Sequence, residues 1–211
     1  LVKVGNRLFI AMAGSHQIWE MQLETGTIQT YAGTGAEACV DGSLIEAAFA
    51  QPSAIATDGQ ELYIADSEGS SIRGVTLAAQ PQVRTVCGSG DLFGFGDVDG
   101  TGSEVRLQHC LGVEYTQNYL WVADSYNHKI KRVEPNTGTC QTILGDGQIG
   151  YQDGEGTSTR FSEPSGLSAT NTHLYIADTN NHAIRRVELE TLSVTTVKFP
   201  GLCAPDVCVP A

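Results

Sequence analysis

One phrase returns four times along this chain: LFIAMAGSHQIWEM from Leu8, LYIADSEGSSIRGV from Leu62, LWVADSYNHKIKRV from Leu120 and LYIADTNNHAIRRV from Leu174. The copies start 54 to 58 residues apart. A period of that size, filled with short β-type segments, specifies stacked sheet modules. Successive side chains of a strand point to opposite faces. Leu120 and Val122 share one face and Trp121 and Ala123 the other, and both faces are apolar. The same holds for Leu62 to Ala65 and for Leu174 to Ala177. A sheet with one wet face would show polar residues at alternate positions, so each of these sheets is expected to be covered on both sides. Alanine fills one column in every copy, at Ala11, Ala65, Ala123 and Ala177. A side chain that small permits neighbouring sheets to approach closely.

The phrase is the second strand of each unit. First strands are expected at residues 53–56, 111–114 and 165–168, and third strands at 130–133 and 184–187. Fourth strands are expected at 27–32, 83–87, 140–144 and 194–197. Short strands at this spacing form four-stranded antiparallel meanders. Meanders stacked face to face about an axis make a β-propeller. The twist of each sheet favours rotation about an axis over a straight row. Glycine-rich connectors join the units. Gly33, Gly88 and Gly145 close fourth strands, and Asp41-Gly42, Asp99-Gly100 and Asp153-Gly154 follow. Asp-Gly pairs are turn chemistry. Eight residues after each aspartate stands an apolar anchor, Phe49, Leu107 or Phe161, and then Pro52, Cys110 or Pro164.

The pattern Ala-Asp-x-x-x-His-x-Ile-(Arg/Lys)-Arg-Val resembles the NHL repeat, most clearly at Ala123 to Ile130 and Ala177 to Ile184. The wording FAQPS, FGDVDG and LQHCLGV is similar to NHL proteins that carry a thioredoxin-like domain ahead of the propeller and a further β region after it. The resemblance implies a six-bladed ring in the parent protein. The expected fold is therefore all-β: an NHL-type β-propeller portion, four blades of four-stranded antiparallel sheets, an incomplete six-bladed ring without the thioredoxin-like part. Blades are placed at about residues 1–51, 52–109, 110–163 and 164–198, with a Pro/Cys-containing tail over 199–211. Leu1 in place of a methionine suggests a processed or excised segment. The first copy departs from the pattern, with Met12 where the others have aspartate, and the second has Ser70 where the others have histidine.

Twenty-four acids against 12 bases give a formal charge of −12. That field repels phosphate backbones and anionic lipid, so nucleic acid is an unfavoured partner. No run of 18 apolar residues is present to span a membrane. The six cysteines contain no CxxC pair, which argues against a redox motif or zinc knuckle. They read as buried small hydrophobes in a reducing, cytoplasmic setting, with a bridge between Cys203 and Cys208 left open.

Asp66, Asp124 and Asp178 end the second strands. A ring of carboxylates for calcium is one reading; a locally satisfied aspartate accepting loop N–H groups in each blade is the expected one. His16, His128 and His182 share a column, but loops after the second strand diverge from the axis, so local hydrogen bonding is expected over a shared metal. His109, just before a first strand, stands nearer the axis but alone. Asp97 and Asp99 resemble the start of a calcium loop whose remaining ligands are missing. Lys129, Lys131 and Arg132, with Arg185 and Arg186, form two small basic runs that could grip an anionic partner but are expected to pair with rim acids. No linear catalytic motif and no cofactor site is written in the chain. The residues point to a binding scaffold that presents propeller loops to a protein or peptide. The alternatives are a metal-dependent lyase or lactonase with a channel site, or the propeller module of a thioredoxin-like redox protein. An open arc of blades could also pair with a second copy.

Overall fold

The computed structural model describes residues 1–199; the Cys203–Cys208 bridge left open above, and the tail from residue 200 on, lie outside the described residues. Four antiparallel sheets follow one another along the chain. Blade 1 comprises Val2–Val4, Arg7–Met12, Gln17–Gln22 and Ile28–Ala32. Blade 2 comprises Pro52–Thr57, Glu61–Asp66, Ser71–Thr76 and Gln82–Cys87. Blade 3 comprises Cys110–Thr116, Tyr119–Asp124, Lys129–Val133 and Thr139–Leu144. Blade 4 comprises Pro164–Ala169, His173–Asp178, Ala183–Glu188 and Ser193–Thr196. Each blade is a meander in chain order, as the expected β-propeller architecture requires.

Blades 2, 3 and 4 differ from the four-stranded expectation in one respect. A two-residue strand from the preceding connector, Gly42–Ser43, Gly100–Thr101 or Gly154–Glu155, adds a fifth strand beyond the fourth. The Asp-Gly pairs thus lead into short extended strands, where a turn was expected. The cause is the aspartate carboxylate, which is held by the fourth strand, as described below.

The first strands gather together. Those of blades 2 and 3 touch, as do those of blades 3 and 4, and blade 1 meets the first strand of blade 2. Gly112 shows how close they come. A Cβ there would stand 1.9 Å from the Ser165 carbonyl oxygen of the next blade, and its backbone cannot yield without moving a strand. Gly112→Ala is expected to cost ~1–3 kcal/mol by overpacking. Urea denaturation checks this, and an unchanged midpoint would contradict so close an approach.

Three apolar clusters fill the three junctions. Phe9, Ile18, Phe49, Leu62 and Ile64 lie between blades 1 and 2. Tyr63, Ala65, Leu107, Leu120 and Val122 lie between blades 2 and 3. Trp121, Ala123, Phe161, Leu174 and Ile176 lie between blades 3 and 4. Both faces of the second strands in blades 2 and 3 are therefore buried, as their two apolar faces require. Blade 4 departs from that expectation. Its Leu174 and Ile176 are buried, but Tyr175 and Ala177 are only partly so. Blade 1 mirrors it, with Phe9 buried and Leu8 and Ile10 partly exposed. No core cluster among the described residues covers these two outer faces.

Candidate functional site

The second and fourth strands of a meander run in the same direction, so the second-strand ends, the loops after them and the connectors all emerge at one end of the blades. This connector end carries the polar chemistry of the chain. In blades 2 and 4 the second strand ends on a fully buried aspartate, and a fully buried arginine faces it from the third strand. Arg73 Nη1 lies 3.2 Å from Asp66 and Arg185 Nη1 lies 2.7 Å from Asp178. The second guanidinium nitrogen reaches the connector, at 2.7 Å from Asp41 and from Asp153 respectively.

The connector aspartate closes the arrangement. Thr85 donates its N–H and hydroxyl to Asp41 at 3.0 Å each. Thr196 does the same to Asp153 at 3.1 and 3.0 Å. The strand-end aspartate in turn accepts a connector N–H: Ala50 to Asp66 at 2.7 Å, Gln108 to Asp124 at 2.7 Å and Ser162 to Asp178 at 2.8 Å. Each unit is thus a clamp in which one buried cation ties a strand-end acid to a connector acid. The anchor completes it in blades 2 and 4, where the guanidinium lies over Phe49 at 5.3 Å and over Phe161 at 5.1 Å.

Blade 3 uses lysine, and its neighbours differ accordingly. Lys131 is fully buried and lies 3.7 Å from Asp124, too far for a direct hydrogen bond. It donates to Asp97 at 2.8 Å and to Asp99 at 2.9 Å. Asp99 also takes the N–H and hydroxyl of Thr142 at 2.8 and 3.0 Å. The anchor here is Leu107, which offers no ring face. A compact ammonium cannot span the gap as a planar fork does; Asp97, which also faces Lys129, supplies a further carboxylate. Asn127 fills the remaining place, donating to Asp124 and to the Gly96 carbonyl at 2.8 and 2.7 Å. Asn181 does the same at Asp178 and Gly150, at 2.8 Å each.

Blade 1 has no such pair. Met12 and Trp19 stand at the aspartate and cation columns, so both charged partners are replaced together. Replacing both members of a buried pair by apolar groups is the tolerable change, whereas losing one strands the other.

These geometries revise the sequence reading. The strand-end aspartates do accept loop N–H groups, but from the connector sixteen residues earlier, and they also hold a buried charge. Lys131 and Arg185 are not rim residues. Arg132 and Arg186 alternate to the other side of the third strand, with Arg132 over the Tyr119 ring at 4.4 Å and Arg186 exposed. Asp97 and Asp99 embrace an ammonium where a calcium loop was weighed.

The histidine column fastens one blade to the next. A short 3-10 turn after the second strand ends on His16, His128 or His182 with φ near +50°, a region histidine enters more readily than most residues. Gln51 N–H donates to His16 Nδ1 at 3.2 Å, and Glu163 N–H to His128 Nδ1 at 3.1 Å. Both donors belong to the lead-in of the following blade. Ser70 serves the same purpose in blade 2, where its hydroxyl accepts the His109 N–H at 3.1 Å. The departure from histidine therefore keeps the contact. His182, in blade 4, is exposed. The His109 ring stacks on Tyr126, centroids 4.5 Å apart, with Nδ1 3.6 Å from Glu68. Among the described residues no group of three or more His, Cys, Asp or Glu is placed to hold a metal.

The clamps titrate in two opposite senses. Burial pushes Asp66 and Asp124 up to about 6, against the pull of Arg73, Lys131 and the connector N–H groups. Hydrogen bonds from Lys129, Lys131, Thr142, Arg185 and Thr196 outweigh desolvation at Asp97, Asp99 and Asp153 and hold them below 3.8. A raised carboxylate adds stability that is full below its unfolded value and is lost as pH climbs through its folded one; a lowered carboxylate does the reverse. Stability should therefore rise as pH falls through about 6 and decline again on acidification below 3.8. Urea midpoints across this range check it, and a midpoint that only falls on acidification would contradict it.

The geometry defines a propeller whose connectors are pinned to their blades by repeated buried charges. The chain is four blades of an NHL-repeat β-propeller. The NHL repeat family matches residues 161–186. NHL repeat-containing protein 2 of Homo sapiens is 41% identical over 220 residues, covering 93% of this chain and 30% of that protein. Protein SUPPRESSOR OF QUENCHING 1, chloroplastic, of Arabidopsis thaliana is 42% identical over 215 residues, covering 96% of this chain and 20% of that protein. The chain thus spans less than a third of these relatives. Among solved structures, an auxiliary nutrient binding protein from Bacteroides ovatus superposes with a TM-score of 0.67 at 21% identity, over 91% of this chain and 46% of that one. A virginiamycin B lyase from Staphylococcus aureus superposes with a TM-score of 0.60 at 14% identity, over 94% and 55%. At such identities these two likenesses concern the fold alone.

Proposed function

We propose that these blades are a binding scaffold that engages a protein or peptide through the loops of the connector end. The observation that supports this most is the contrast between rigid backbone and exposed side chains there. Clamps and histidine contacts fix the connectors, yet the same connectors hold Ile45, Phe93 and Ile149 in solvent, at 84%, 84% and 68% exposure. Exposed apolar side chains mark an interaction surface when they gather into one patch, and these three are carried by connectors that emerge together. A fixed backbone also lowers the ordering cost of association. The buried acids and bases are consumed in fastening loops to blades, so they support presentation of a surface more than turnover of a substrate.

The test places a photo-crosslinking residue at Ile45, Phe93 or Ile149 on the connector end, and at Leu23 on the opposite, hairpin end. Protein adducts are expected. No protein adduct from either end, together with stoichiometric bound metal by elemental mass spectrometry, would overturn the scaffold in favour of a channel enzyme.

A further inference from the structure

The connector end differs over blades 3 and 4 from the rest of the arc. Phe95 and Ile149 occupy the same column in adjacent connectors and are 55% and 68% exposed. The neighbouring carbonyls, Gly96 and Gly150, are held by Asn127 and Asn181, so both side chains project from fixed points one blade apart. Phe93 stands beside Phe95, and Tyr126 lies next to Asn127 with its ring against His109. Lys129 links the two connectors, since a Cβ at Gly147 would lie 3.2 Å from its Cε.

Unpaired charge at this end is mostly acidic. Lys129, Lys131, Arg160 and Arg185 each already face a carboxylate, while Arg106 donates only to the Ser103 and Val105 carbonyls. Glu104, Glu155 and Glu163 have no lysine or arginine within ion-pair distance among the described residues, and Glu68 has only His109. Exposed aromatic faces thus share this end with more unpaired carboxylates than unpaired cations. Both attract cations: ring faces through their quadrupole, carboxylates directly.

We propose that the connector end of blades 3 and 4 docks a basic segment of a protein partner, with apolar side chains against Phe93, Phe95 and Ile149 and arginine or lysine heads on the surrounding glutamates. This rests on the scaffold reading and names its surface and the chemistry of its partner. A polyanion would meet the same glutamates, and the chain's charge of −12, as repulsion.

Fluorescence anisotropy of the 211-residue chain tests it with three labelled probes: a short peptide alternating Arg and Leu, its counterpart alternating Glu and Leu, and a single-stranded RNA. Two variants accompany it, Phe93→Ser/Phe95→Ser on this surface and Leu23→Ser on the hairpin end, each first shown to keep the parent urea midpoint. The Arg-Leu peptide should bind, more weakly as salt rises. The double phenylalanine variant should lose at least about tenfold in affinity, and Leu23→Ser should lose nothing. No Arg-Leu binding, equal or tighter binding of the acidic peptide or the RNA, or full affinity in the double phenylalanine variant would each overturn the proposal. Protein adducts arising only from the Leu23 crosslinker would sink this surface while leaving the scaffold standing.

Discussion

Arg73→Met should destabilise the protein by about 3–5 kcal/mol at neutral pH, the cost of removing one partner from a buried ion pair. The side chain is fully buried and donates to Asp66, Asp41 and the carbonyls of Ala48 and Val40. Methionine fills much of the volume but offers no donor, so Asp66 is left with the Ala50 N–H alone. The loss should shrink as pH falls, because Asp66, without Arg73 to hold its carboxyl down, takes up a proton more readily than in the parent and ceases to be a stranded charge. Adding Asp66→Asn to Arg73→Met should recover part of it, as blade 1 suggests with Met12 and Trp19 in the same two columns. Urea titrations of the three variants measure this. An Arg73→Met protein within about 0.5 kcal/mol of the parent, the range of ordinary surface substitutions, would deny the clamp its role.

Trp121→Ala should cost a similar ~3–5 kcal/mol by a different route, as a large cavity in a packed core. Trp121 is 1% exposed and fills the junction of blades 3 and 4 beside Ala123, Ile130, Leu174 and Ile176. Its indole N–H has no partner, so the loss is one of packing and no hydrogen bond goes with it. Trp121→Phe should accordingly retain more of the stability. Equal stability of Trp121→Ala and the parent would mean that the two blades do not rely on this contact.

The sheets were legible in the chain because their signal is local. The Leu-x-Ile-Ala alternation and the alanine column mark second strands directly, and the spacing of the copies marks the blades. Blade 1's first strand, Val2–Val4, escaped notice because it precedes the first phrase and is only three residues long. The clamps were harder to read because their members are far apart in sequence: Asp41 lies 32 residues from Arg73, and Asp41, Asp99 and Asp153 lie 43 or 44 residues from their threonine partners. Each residue alone looks like a turn former or a rim charge. One signal was nevertheless present. Arg73, Lys131 and Arg185 sit one residue past an isoleucine of the third strand, and the one blade without a cation there is also the one without the strand-end aspartate. The exchange of histidine for Ser70 was visible as a departure, but its harmlessness was not. The partner is a backbone N–H in the next blade, and a hydroxyl can accept it as an imidazole does.

Hydrogen exchange offers the most direct view of whether the connectors are fastened as described. The amides of Ala50, Gln108 and Ser162 donate to buried carboxylates, and those of Thr85, Thr142 and Thr196 to connector carboxylates. All six should exchange slowly, on the timescale of the strands of blades 2 and 3, and those of Ala50 and Thr85 should quicken together in Arg73→Met. Exchange at these amides as fast as at the exposed turn of Ala78 to Gln80 would show that the connectors are loose and that the buried charges do not hold them.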